Sequence, residues 1–321
     1  MLAAFVREEV PEPPAPTSST LHGSDRIWPE TNCYVDLWIE LLHARGLVPE
    51  AMLGFTLRQD FEGDQFTFFK PFASDIERLY GLSIQELAIF ESLEAHALIQ
   101  AARGCPVLVE VDAIHLPDTA GTTYGREHGK TTIGILGLDA QARMLDYLHN
   151  AGRFRLSGAD YEGIFGPAPL FPYAEFVKEI GAPLARADLP RVALDLLRHH
   201  RRFAPRANPI VAFREALAAR ADTLVQNPLG IFHSYAFNTT RQLGANFELL
   251  GSHLAWLDGE GGGDFSAAAE AAHTLAVEAK AFQFQLARAF GRRNATGLCQ
   301  RLDGLAATYD RVFAALDRSL A

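Results

Sequence analysis

Cys33, His128 and Asp146 have the residue types that acyl chemistry on a cysteine requires. Cys33 stands in Trp28-Pro-Glu-Thr-Asn-Cys33-Tyr-Val-Asp-Leu-Trp-Ile-Glu-Leu-Leu-His-Ala-Arg-Gly46, which reads as a loop delivering one cysteine to the first turn of a helix. Thr31 or Asn32 can cap that helix. Val35, Leu37, Trp38, Ile39, Leu41 and Leu42 give it a face to bury, and Gly46 closes it. A cysteine there meets the positive end of the helix dipole and unpaired backbone N–H groups, and both favour the attacking thiolate. His128 opens a strand after a loop rich in glycine and threonine, and Asp146 lies in the next strand of a hairpin. A thiolate, an imidazole that takes and returns its proton, and a carboxylate that holds the imidazole's tautomer are the parts of cysteine-dependent acyl chemistry. Taken singly, each has a plainer reading: a small buried hydrophobe, a surface histidine, a strand-end carboxylate.

Composition narrows the alternatives. At 321 residues with 48% hydrophobic side chains, the chain can bury a substantial core and hold two domains. A net charge of −10 disfavours nucleic acid as the main partner. No apolar run approaches a membrane span, and Met1 to Val6 is too short for a signal-peptide core before Arg7, Glu8 and Glu9. Cys33, Cys105 and Cys299 are odd in number and widely spaced, which argues for a reducing, cytoplasmic setting without a disulfide framework.

Several elements must position the three residues. Pro11, Pro13, Pro14 and Pro16 followed by Thr17–Thr20 describe a flexible N-terminal arm over 1–25. The aromatic segment Asp60 to Pro71 reads as a short strand, with Phe61 and Phe66 in the core rather than lining a ligand cleft. Capping-box patterns at Ser74–Glu77 and Ser83–Glu86 predict helices to Tyr80 and to about Arg103. Pro106–Asp112 is a β-branched run suited to a central strand, and 127–137 with 143–148 forms a hairpin. A short capped helix follows at Ser157–Glu162. Beyond Pro205 the chain turns helical over about 208–225, 229–257, 265–292 and 295–319, an antiparallel bundle.

The order cysteine on a helix, histidine at a strand start and aspartate one hairpin arm later resembles the papain-like superfamily. It is most similar to the C39-peptidase-like branch and to the N-terminal domain of the butirosin side-chain acyltransferase. His128, the strand Ile133-Gly-Ile-Leu-Gly137 and Met144-Leu-Asp146 carry that resemblance, with Pro106–Asp112 as the preceding strand. The run Asn32-Cys-Tyr-Val-Asp-Leu-Trp-Ile-Glu-Leu-Leu-His43 resembles a bacterial family associated with ligases that load amino acids onto carrier proteins. The resemblance implies an α+β fold: a papain-like domain with an antiparallel sheet over 26–165, a connection over 166–205, and a helical bundle over 206–321. It also implies acyl or aminoacyl transfer from a carrier-protein thioester to a small amine acceptor through an acyl–Cys33 intermediate. A peptidase or thioesterase with the same triad, and a non-catalytic adaptor that binds a carrier or ligase, are the alternatives. No cofactor belongs to the chain itself; phosphopantetheine would ride on the carrier.

Two departures stand out. Ile27 occupies the position where papain-like enzymes place an oxyanion-binding glutamine, which shifts that task to the Cys33 N–H with Asn32 or Trp28. A symmetric hairpin about residues 139–140 sets Asn150, not Asp146, opposite His128, making Asn150 the alternative orienter. Asp112 is a candidate anchor for the histidine loop, and Tyr124 a candidate to reach the cleft. His199-His200 lack ligand-spaced neighbours for a metal. Arg198–Arg202 reads as a solvated helix end or as a docking patch for an acidic carrier. His233, Tyr235, Asn238, Arg241, Gln242 and Asn246 form a polar stripe, either an acceptor wall or a solvent face.

Overall fold

The computed structural model describes residues 18–167 and 170–321. Among them the fold is α+β, with one six-stranded antiparallel sheet and ten α-helices. The sheet grows from β2 (Val107–Asp112), whose first three residues are fully buried, as a β-branched apolar run demands. β3 (Lys130–Asp139) pairs on one side of it and β6 (Ala174–Glu179) on the other. With β1 (Leu82–Glu86), β4 (Met144–His149) and β5 (Gly152–Ser157), the order across the sheet is β1-β6-β2-β3-β4-β5.

Strand alternation gives the sheet two faces. Val107, Val109, Val111, Ile133, Ile135 and Tyr147 share a core with α3 (Leu93–Ala102) and α4 (Ala159–Phe165). Leu108, Leu148 and Val177 point the opposite way, toward α1 (Cys33–His43). The approach of α1 requires Gly134: a Cβ there would stand 2.6 Å from Leu37 Cδ1. Tyr34 near the start of α1 reaches Glu175, while Arg45 just beyond its end reaches Glu179. Since Glu175 pairs with Leu108 and Phe176 with Val107, Glu179 lies past the beginning of β2. The helix packs on β3 and β4, and its N-terminus points to the sheet end where β2 finishes and β3 begins.

The same core continues into the helices after β6. The 3₁₀ segment Pro49–Arg58 packs against α5 (Leu189–Arg201) and α8 (Gln242–Gly259). Between α2 (Ala73–Tyr80) and the bundle, α5 pairs its buried His200 with Asp75 at 2.7 Å. The bundle itself is α6 (Pro209–Leu224), α7 (Leu229–Ala236), a π-helical turn Phe237–Arg241, α8, α9 (Ser266–Arg292) and α10 (Leu302–Leu320). Ala268, Ala272, Ala276 and Ala279 line the buried edge of α9, and such small side chains let neighbouring backbones approach closely.

Some sequence expectations differ from this arrangement. Ser83–Glu86 is not a helix cap but part of β1, because pairing with β6 outweighs a local capping pattern; the helix starts later, capped by Ser92. Asp60–Pro71 makes a single bridge between Phe61 and Phe66 rather than a strand, while Phe66 is buried as expected. Ser74 does not cap α2. The stretch 166–205 is more than a connection, since it supplies the interior strand β6 and α5. Of the expected flexible arm, residues 1–17 lie outside the described residues, while Leu21 and His22 are buried in a 3₁₀ turn.

Candidate functional site

Asn32, not Thr31, caps α1. Its Oδ1 accepts from the Val35 N–H at 3.0 Å and its Nδ2 donates to the Phe69 carbonyl at 3.1 Å. Cys33 is the first helical residue and part-exposed. Neither its N–H nor its thiol is hydrogen-bonded among the described residues, as expected for an orphan donor in a first helical turn. Behind it, buried Asp36 accepts from the Thr31 N–H and hydroxyl at 2.8 and 2.5 Å. His22 bridges Asp36 and Glu40 at 3.2 and 2.5 Å. Burial alone would lower the His22 pKa, but hydrogen bonds and charge from Asp36 and Glu40 outweigh it and raise it to about 9. This cluster ties the incoming chain to the back of α1 and so fixes where the cysteine starts.

At the sheet end that the N-terminus of α1 points to, His128 Nδ1 lies 2.5 Å from Asp112 Oδ2. Asp112 Oδ1 accepts from the N–H groups of Gly129 and Ile114 at 3.0 and 3.2 Å. Partial burial raises the Asp112 pKa, but these hydrogen bonds, led by His128, bring it below the ordinary carboxylate value. Asp112 follows Leu108 and Glu110 in the alternation of β2, so the pair stands on the α1 face. Lys130 and Glu110, 2.6 Å apart, flank it. Glu110, Asp112, His128, Gly129, Lys130 and Pro172 line an open cleft of about 400 Å³. The His128 side chain is 84% exposed, and its Nε2 has no hydrogen-bond partner among the described residues.

The aspartate in contact with His128 is therefore Asp112 and not Asp146. Asp146 accepts two hydrogen bonds from Arg155, at 2.6 and 2.9 Å, and these hold its carboxyl below the ordinary value. The hairpin turns at 140–143, with Arg143 left-handed, and a register shift between Ile135 and Gly137 carries Asp146 opposite Gly137. Asn150 sits in the β4–β5 turn with φ of +46°, so neither downstream candidate faces His128. The structure brings His128 and Asp112 together and sets Cys33 on the same side of the sheet, without a hydrogen bond from Cys33 to either.

The other candidates take structural partners. Trp28 is not placed to bind an oxyanion: its backbone N–H donates to Glu248 at 2.8 Å and its indole N–H to the Ala276 carbonyl at 3.1 Å. Its ring lies against Gly244, where a Cβ would come within 2.5 Å. Ile27 donates to the same glutamate at 2.9 Å. Tyr124 bonds Asp160 at 2.9 Å. Two of the six stripe residues are buried, Gln242 and Asn246 against the 3₁₀ segment, while part-exposed Arg241 donates to the Thr31 carbonyl at 2.9 Å. Arg198–Arg202 closes α5, with Arg201 bidentate to Asp317 at 2.7 and 2.8 Å.

Sequence reasoning missed the pair on the opposite face. Tyr147 and His149 both donate to Asp118, each at 2.5 Å, and His149 Nε2 accepts from Thr131 at 2.8 Å. The alternation of Tyr147 and His149 in β4 was a visible signal for their shared face, but Asp118 comes from a loop. Among the described residues no group of three or more His, Cys, Asp or Glu side chains is placed to hold a metal ion, and no helix is long and apolar enough to cross a membrane.

The chain matches the DUF1839 N-terminal domain over residues 17–179 and the DUF1839 C-terminal domain over 186–318, and it belongs to this family. The boundary between the two falls after β6, where the sheet is complete. No curated protein matches it.

Proposed function

We propose that this DUF1839 chain is a cysteine-dependent acyltransferase of papain-like design. The Cys33 sulfur attacks the carbonyl of a carrier-bound thioester while His128 Nε2 takes the thiol proton. The new S–C bond replaces the old one, and the departing pantetheine thiol leaves with that proton. An amine then attacks the acyl–Cys33 carbonyl, the S–C bond breaks, and the amine's proton returns to sulfur through His128. Asp112 keeps the imidazole Nδ1 protonated and leaves Nε2 as the base. The unpaired Cys33 N–H is a donor for the developing oxyanion.

The observation that carries this reading is the His128–Asp112 contact of 2.5 Å on the face of the sheet that receives α1, at the end its N-terminus points to. The exposure of His128 suits a donor delivered on a protein, which would cover the cleft and exclude water as it binds. The missing hydrogen bond between Cys33 and His128 favours one second reading, a non-catalytic adaptor for a carrier protein. Intact-mass measurement after exposure to aminoacyl-pantetheine thioesters and to peptides separates the two. Acyl transfer predicts a single adduct on Cys33 from thioesters, absent in Cys33→Ala. An adaptor gives none, and capture from peptides would indicate a peptidase.

A further inference from the structure

A second concavity, of about 370 Å³, opens beside the start of α1 between the 3₁₀ segment and the aromatic strip that follows it. Phe55, Phe68, Phe69, Pro71 and Phe72 give it apolar walls, and Arg58, Gln59 and Lys70 are its strongly polar side chains. Two of its walls touch the proposed catalytic helix: the Phe69 carbonyl accepts from Asn32, and the Lys70 ammonium lies 4.3 Å from the Tyr34 ring centroid.

Its charge is unbalanced in an unusual way. The chain holds 39 acidic against 29 basic residues, so carboxylates are in surplus. Arg58 and Lys70 nevertheless have none as a partner among the described residues. Arg58 is sandwiched between Phe72 and Phe203, at 4.4 and 4.6 Å from their ring centroids, and its buried Nε is unbonded. Stacking fixes the guanidinium plane and leaves its in-plane donors for a ligand. The nearby carboxylate of Asp75 is occupied by His200.

Gln59 adds an independent sign. It is 4% exposed, and its Nε2 donates to the Gln242 carbonyl at 2.9 Å while its Oε1 has no partner. A buried amide oxygen left unbonded costs on the order of 1–3 kcal/mol, which a donor from a bound molecule or water would recover.

We infer that this pocket binds a small organic anion, a carboxylate or a phosphate ester with an apolar body, held by Arg58 and Lys70 with its body against the phenylalanines and a donor group to Gln59. The inference stands on residues apart from Cys33, His128 and Asp112, so it survives or fails independently of acyl transfer. Calorimetric titration of the full chain with phenylacetate, phenyl phosphate and benzylamine tests it. At least one anion is expected to bind, roughly tenfold or more tighter than benzylamine, with unchanged affinity in Cys33→Ala. Preference for phenylacetate assigns a carboxylate, and preference for phenyl phosphate assigns a phosphate ester. Arg58→Gln is expected to weaken binding about tenfold, and Lys70→Gln, at an exposed position with little risk to folding, severalfold. Equal binding of benzylamine, no binding of either anion, or unchanged affinity in both variants would overturn it.

Discussion

The two faces of the sheet carry the same chemical pair in opposite settings. On each, a histidine Nδ1 lies 2.5 Å from an aspartate oxygen. His149 is buried, and its second nitrogen is taken by Thr131; its aspartate is shared with Tyr147. His128 stands in solvent with its second nitrogen unbonded among the described residues, in a cleft on the side of the cysteine helix. A histidine–aspartate contact is thus not a catalytic signature by itself. A general base needs a free nitrogen that a substrate can reach, and that separates the two pairs.

The sharpest way to break this contrast is to exchange neither pair but to remove one histidine at a time. His128→Gln should cut acyl–Cys33 formation by about 10²–10⁴-fold while leaving the melting temperature nearly unchanged, since exposed substitutions stay within about 0.5 kcal/mol. Mass spectrometry and a thermal melt read both quantities. His149→Ala should do the reverse. It strips a partner from buried Asp118 and should cost about 3 kcal/mol in denaturant unfolding, with acylation of the folded protein preserved.

A second contrast concerns two buried histidines elsewhere. His22 is held between carboxylates, and its pKa of about 9 means that its stabilisation is complete below the unfolded value of 6.5 and lost as pH rises through 9. Burial keeps His253 neutral, bonded at Nδ1 to the Glu50 carbonyl, with a pKa lowered to about 4. Its contribution is complete above 6.5 and lost as pH falls toward 4. Stability should therefore peak between these limbs. In pH-dependent melts, His22→Gln should flatten the alkaline limb and His253→Gln the acid one. The smallest expected effect belongs to Asp146→Asn, which breaks a part-exposed pair with Arg155: under about 1 kcal/mol, and no change in Cys33 acylation. A strong loss of acylation there would restore Asp146 as the orienter.

What the sequence made legible was local. Asn32, Cys33 and the apolar stripe defined α1, the β-branched run defined β2, and the spacing of Pro228 and the glycines near 260 broke the terminal helices close to their observed limits. What it hid was pairing across distance. Leu82–Glu86 becomes a strand only because Ala174–Glu179, nearly a hundred residues on, lies beside it. Asp112 was visible as an anchor for the histidine loop, and Gly129 and Ile114 do bond it. Its contact with His128 was obscured because β3 has two neighbours, and hairpin reasoning looks only to the downstream one. The anion pocket was out of reach for the same reason, since Phe203 and Gln242 meet Arg58 and Gln59 only in the fold.

The most direct test of the central claim is the rate at which iodoacetamide alkylates each cysteine at neutral pH, followed by peptide mass spectrometry in the wild type, His128→Gln and Asp112→Asn. Cys105 is buried, and burial, reinforced by the charge of Asp222, raises the pKa of the Cys299 thiol, so both serve as internal references. The expected result is that Cys33 labels at least about tenfold faster than either reference, and that both variants slow Cys33 alone. Equal rates at all three cysteines, or a Cys33 rate indifferent to both variants, would contradict it.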